Sequence, residues 1–217
     1  MNNTYYLVRH GETEWNTMGR TQGHGNSPLT ALGIIQAESA ANALSKFPID
    51  MIYCSDLGRA VQTAEIIGKR LDKKVIPTES LREMGFGEWE GMKIKNIQEK
   101  FPAMFEIWRN SPDRLDIKGA ENLFIVKERQ DKLIQELNEK YSDKHILLVS
   151  HSVTVRVMLL SFLDSHVRNI YRIKQDNTAI NIVESRSYGP VVIKMNDTKH
   201  LSELNIKSSP DVKSALE

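Results

Sequence analysis

Hydrophobic and polar positions along the chain fall into short runs of two different periods. Apolar or β-branched runs at 5–8, 51–55 and 146–150 predict strands. The last is apolar as far as Ser150, as a strand buried on both faces must be. A short strand is predicted at 74–77, and 180–184 with 191–195 predict a hairpin whose turn holds Gly189 and Pro190. Helical spacing marks 30–47, 60–71, 122–141 and 153–163, with Thr30 as the N-cap of the first. The stretch 93–108 predicts one or two short helices broken at Pro102, after a Gly- and aromatic-rich loop at 83–91.

Strands that alternate with helices predict an α/β fold. It is a three-layer sandwich with a mostly parallel central sheet, helices on both faces and a small helical cap insert at about 88–118. One domain is expected over 1–204, with 205–217 as a mobile tail. In such sheets the ligand site lies beyond the carboxyl ends of the strands. Arg9 and His10 follow the first predicted strand, and Ser55 and Arg59 follow the second. Glu83 lies past the third, and His151 directly follows 146–150. Two histidines, two arginines and one carboxylic acid therefore converge on one rim.

That set suits a phosphate ester. Two guanidinium forks match a tetrahedral dianion and stay charged. Phosphoryl transfer needs positioning and charge stabilisation above all, which arginines can supply. A neutral imidazole is a competent nucleophile toward phosphorus, and His10 sits where a strand end holds its backbone. His151 can offset charge on the moving phosphoryl group. Glu83 can protonate the leaving alkoxide and later accept a proton from water. For Arg59 the competing expectation is an ion pair with Asp56 at the helix start.

Composition narrows the alternatives. A net charge of +1 over 217 residues does not suggest nucleic acid or an anionic membrane as a partner, and no run approaches a membrane span of about 18 apolar residues. The single cysteine, Cys54, lies inside an apolar strand and reads as an inert buried thiol in a cytoplasmic protein. A metal-dependent reading needs His10, Glu12, His24 and His151 together, and no His-Glu-x-x-His run or cysteine pair supports it. His24, His145, His166 and His200 otherwise read as surface residues. Lys127, Arg129, Lys132 and Glu139 read as the solvated face of a helix.

Four ordered blocks carry a resemblance. They are LVRHGETEWN at 7–16, continuing through Gly19, Arg20, Gln22, Gly23 and PLT at 28–30; SDLGRA at 55–60; LRE at 81–83 with FGEWEG at 86–91; and VSH at 149–151 with Asn177 and Thr178. Together they resemble the histidine phosphatase, or phosphoglycerate-mutase-like, family. The resemblance implies that His10 is the phosphorylated nucleophile and Glu83 the proton donor. Arg9, Arg59 and His151 then line the phosphate pocket, and Asn16, Arg20, Gln22, Gly23 and Ser152 bind substrate. It implies no metal and no cofactor. The segment after Glu83 resembles the phosphatase branch, which implies hydrolysis of phosphate monoesters of small metabolites. The alternatives are a cofactor-dependent phosphoglycerate mutase and a catalytically weak module that binds phosphoesters. Ser152 and Val153 stand where the family usually has two glycines, which predicts a narrower pocket with an added hydroxyl. Phe101, Met104, Phe105 and Trp108 are expected to form the cap's apolar face over the substrate. The terminal hairpin offers an edge strand for a homodimer.

Overall fold

In the computed structural model, residues 2–202 are described, and the expected tail at 205–217 lies outside them. Six strands form one sheet in the order β3-β2-β4-β1-β5-β6. They are β1 (Thr4–Arg9), β2 (Met51–Ser55), β3 (Val75–Thr78), β4 (His145–Ser150), β5 (Ile180–Arg186) and β6 (Gly189–Asp197). The first four run parallel, and the hairpin β5–β6 adds antiparallel to β1. The sheet is mixed but mostly parallel, as the alternating pattern predicts.

The helices are α1 (Glu14–Thr17), α2 (Ala31–Leu44), α3 (Gly58–Leu71), α4 (Ile94–Lys100), α5 (Pro102–Asn110), α6 (Leu123–Lys140), α7 (Ser152–Phe162) and α8 (Lys199–Ser202). Their ends follow local chemistry. Thr30 caps α2 by accepting from the Gly33 N–H, and Asn122 caps α6 by accepting from the N–H groups of Phe124 and Ile125. Pro102 ends α4 and opens α5 at its first position, where no donor is lost.

Two cores flank the sheet. The smaller joins Tyr6, Val8, Ile52 and Leu147 to Ala41, Leu44, Ala64 and Ile67 of α2 and α3. The larger joins Tyr5, Leu7, Ile146 and Leu148 to α6, α7 and the insert. Alternate residues of β1 and β4 thus serve opposite layers, so both strands are apolar or aromatic between their polar ends. The insert is anchored from within. Trp89 and Phe105 are almost fully buried, and the Trp108 ring meets Phe86, Trp89 and Phe105 at centroid distances of 5.4–6.0 Å.

Candidate active site

The site begins with β1, buried between β4 and β5. Pairing holds the strand to its last residue, so His10 leaves a fixed backbone. The His10 N–H donates to Ser150 O, and the Asn177 amide donates to His10 O at 2.9 Å. The loop after His10 passes close to α2. A Cβ on Gly33 would run into Glu12 O, and one on Gly11 into Gly33 O, so both positions need glycine.

The imidazole is buried, and its Nδ1 lies 2.7 Å from Gly11 O. A carbonyl only accepts, so Nδ1 carries the hydrogen and Nε2 keeps its lone pair. That lone pair accepts from Arg59 Nε–H at 3.3 Å. Burial first, and then Arg59 and Arg9, hold the His10 pKa well below the ordinary histidine value. The ring is therefore neutral at neutral pH, the form a nucleophile requires.

Arg59 is buried at the first turn of α3 and does not pair with Asp56, which binds Arg82 instead. Its two terminal nitrogens donate to Gly23 O and Gly25 O, both at 2.8 Å, which aims the remaining Nε–H at His10. Burial pushes its pKa down to about 10, so it stays cationic. Arg9 donates to Gln175 O at 2.6 Å. His151 ends β4 as the N-cap of α7, with its ring centroid 5.2 Å from that of His10. It is fully buried, and neither ring nitrogen has a hydrogen-bond partner among the described residues. A buried polar atom left unpaired costs about 1–3 kcal/mol, which a phosphate oxygen placed there would relieve. Burial, Arg59 and His10 keep the His151 ring neutral.

Glu83 lines the same cavity as His10 and Arg59. Its carboxylate accepts from the N–H groups of Met84, Val153 and Thr154 and from the Thr154 hydroxyl, at 3.0–3.2 Å. It therefore sits at the N-terminus of α7, one turn from His151. Val153 fits here because α7 begins at Ser152 with ordinary helical geometry, and neither residue needs positive φ. The Ser152 hydroxyl accepts from Arg156.

Arg9, His10, Asn16, Arg20, Gln22, Gly23, Arg59, Glu83 and Ser152 line one cavity of about 50 Å³. Thr21, Phe86, Ile94, Trp108, Val153, Arg156 and Tyr171 complete it. Asn16 Oδ1 accepts from the Thr13 N–H and hydroxyl, which leaves the amide Nδ2 as the donor for the cavity. Of the four apolar residues expected from the cap, only Trp108 reaches the cavity. Phe105 packs beneath it, because α5 must also seal the core.

Several residues stand elsewhere than the sequence reading placed them. Arg156 is 1% exposed and lines the cavity. Its signal was a lone arginine on an otherwise apolar helix, four residues after Ser152. His24 is no mere surface residue, since its Nε2 lies 2.9 Å from Glu83 O. Arg129 turns inward to Ser80 O and Glu83 O rather than to solvent. His200 is buried, and His145 meets the Tyr6 hydroxyl at 2.9 Å. The alternative metal set is not assembled: Glu12 accepts from the Thr30 hydroxyl, His24 is held by Glu83 and Glu121, and no three metal-ligating side chains cluster among the described residues.

The histidine phosphatase superfamily (branch 1) model matches residues 5–198. The chain belongs to the histidine phosphatase superfamily. It is 31% identical over 202 residues to phosphoserine phosphatase 1 of Hydrogenobacter thermophilus, covering 93% of this chain and 96% of that one. It is 30% identical to the metal-independent phosphoserine phosphatase of Arabidopsis thaliana over 201 residues, 91% of this chain and 83% of that one. Among solved structures, a mutant phosphoserine phosphatase from Entamoeba histolytica in complex with phosphoserine superposes with a TM-score of 0.82 at 30% identity. That match covers 92% of this chain and 99% of the other. The histidine phosphatase fold and its named relatives make this chain a phosphoric monoester hydrolase. Among the described residues no helix is long and apolar enough to cross a membrane.

Proposed function

We propose that the protein hydrolyses small phosphate monoesters, of which phosphoserine is the model, through a covalent phosphohistidine at His10 Nε2. The observation that carries this is the His10 tautomer. The Nδ1–H is spent on Gly11 O, and the Nε2 lone pair faces Arg59 in the cavity. The phosphate lies among Arg9, Arg59, His151 and the Asn16 amide. His10 Nε2 attacks phosphorus in line with the ester oxygen, and Glu83 gives that oxygen a proton as the P–O bond breaks. Glu83 then takes a proton from the water that attacks phosphohistidine, which returns neutral His10 and inorganic phosphate.

The alcohol portion of the substrate is small. A cavity of about 50 Å³ is well below the roughly 300–1,000 Å³ of sites that take drug-sized ligands. Relatives named phosphoserine phosphatases support the same size class. Residues 1–204 act as one domain in this reading, with the insert at about 88–118 as the cap and the cytoplasm as the compartment.

The test is hydrolysis of phosphoserine and an aryl phosphate in excess chelator by the native protein and His10→Ala. Native turnover with labelled protein that survives an alkaline denaturing quench and loses its label in acid, both lost in the variant, is the expected result. Native turnover that stops in chelator refutes the metal-independent chemistry. Phosphate transfer between the hydroxyls of phosphoglycerate in place of release indicates a mutase. Tight phosphate binding without turnover indicates a binding module.

A further inference from the structure

Glu83 is gripped twice. Its carboxylate is held by the first turn of α7, and its backbone carbonyl is held from behind by His24 and Arg129. His24 Nε2 lies 2.9 Å from Glu83 O. The carbonyl only accepts, so Nε2 carries a hydrogen and donates. Arg129, on α6, donates from Nη2 to the same oxygen at 3.0 Å and from Nη1 to Ser80 O at 2.8 Å. Glu121, just before α6, links these two. Its Oε2 accepts from the Gly85 N–H at 2.8 Å and lies 3.5 Å from His24 Nε2, and its Oε1 accepts from Arg129 Nε at 3.2 Å. The Glu121 N–H also donates to Gly85 O at 2.9 Å.

These contacts fix the backbone at 80, 83 and 85, on both sides of the acid. The clamp is ionic. Burial raises the Glu121 pKa, but the nearby His24 ring, the Arg129 guanidinium and the Gly85 N–H together hold it down to about 2. It is also partly sheltered, with side-chain exposures of 19% for Arg129 and 21% for Glu121. None of the three residues lines the cavity that holds His10. They do not reach substrate there, so their effect on chemistry is indirect, and Glu83 is the cavity residue that His24 and Arg129 bind directly.

We propose that His24, Glu121 and Arg129 are positioning residues that set where the Glu83 carboxylate meets the leaving oxygen. The inference rests on Glu83 being the general acid and base. The physical reason is the steep dependence of proton transfer on geometry. A displacement of about 1 Å can cost roughly 100-fold, and a well-placed acid contributes about 10²–10⁴-fold. Two carboxylate oxygens held by α7 leave the group free to pivot on its own backbone. Holding Glu83 O removes that freedom.

The test separates positioning from plain stabilisation by leaving group. An alkyl phosphate such as phosphoserine needs a proton on its leaving oxygen, whereas an aryl phosphate with an acidic phenol leaves with little help. The quantity to measure is kcat/KM, which reads phosphoryl transfer to His10. Glu83→Gln is measured in parallel as the reference. Glu121→Gln, Arg129→Lys and His24→Ala should each lower kcat/KM for phosphoserine by about 10-fold or more and for the aryl ester by less than about 3-fold. His24→Gln, which keeps a donor for Glu83 O, should recover most of the loss seen in His24→Ala. A urea titration shows which variants are folded at assay temperature. If Arg129→Lys is not, Glu121→Gln and the His24 pair carry the test.

If Glu83→Gln shows the split and the clamp variants lower both esters equally, or neither, the positioning role is wrong. If Glu83→Gln itself shows no split, the acid assignment is wrong and the positioning role falls with it.

Discussion

Acidification should unfold this protein earlier than its carboxylates alone require. His10 and His151 are both buried with pKa values well below the ordinary 6.5. Below pH 6.5 the unfolded chain binds protons at these two positions while the native protein does not. Stability therefore falls as pH falls, beginning near pH 6.5 and continuing down to the folded values. Each such histidine costs on the order of 1 kcal/mol between pH 7.5 and 5.5, so the pair costs roughly 2–3 kcal/mol. His24 works in the opposite sense. Its pKa is raised, chiefly by Glu121, so it adds stability below pH 6.5 that is lost as pH rises through its folded value. Because it is half exposed, it offsets only a fraction of the loss. Glu121, Asp56 and Asp197 have lowered pKa values and begin to matter only as pH falls below about 4–4.5, outside this window. Urea denaturation in phosphate-free buffer at pH 7.5 and 5.5 measures the difference. His151→Gln should remove about half of the native drop, and His10→Gln a similar share. A native protein equally stable at both pH values, or variants that keep the full drop, would refute the assignment of two neutral buried rings.

Three substitutions separate binding from folding. Asn16→Asp keeps the oxygen that accepts from Thr13 but puts a carboxylate where the amide faces the phosphate. Stability should change by less than about 0.5 kcal/mol, while kcat/KM falls by about 10-fold or more. Comparable losses in both would mean that Asn16 serves only the turn. Phe105→Leu should cost about 1–2 kcal/mol of stability in urea and leave KM within about 2-fold, because the ring packs under Trp108. Trp108→Phe should shift KM for phosphoserine by more than that, since Trp108 lines the cavity. Equal KM effects would place both rings at the substrate.

Much of this architecture could be read from the chain because the information is local. Buried parallel strands must be apolar on both faces, so 146–150 stood out. Capping needs a side-chain acceptor next to a helical run, so Thr30 was visible. The parallel rule put His10, Arg59, Glu83 and His151 on one rim; in the structure the first three line one cavity, and His151 lies against the His10 ring outside that lining. Arg129 misled for a definite reason. On a helix whose other charged residues are solvated, charge pattern alone does not show which one faces a backbone carbonyl from another segment. His24 misled similarly, as its partners Glu83 and Glu121 lie 59 and 97 residues away. The cap was read by aromatic density. Density does not tell a ring that lines a cavity from one that fills the core beneath it.

By itself the sequence determined the order of elements, the rim on which the chemistry sits and the residue types able to attack and hold a phosphate. The tertiary structure alone decided which nitrogen of His10 is free, which arginines enter the cavity and what holds Glu83. Strand and helix periods and caps depend on neighbours within a few positions, so they are written in the chain locally. Tautomers, burial and backbone-directed hydrogen bonds depend on groups that meet only when the sheet brings distant segments together.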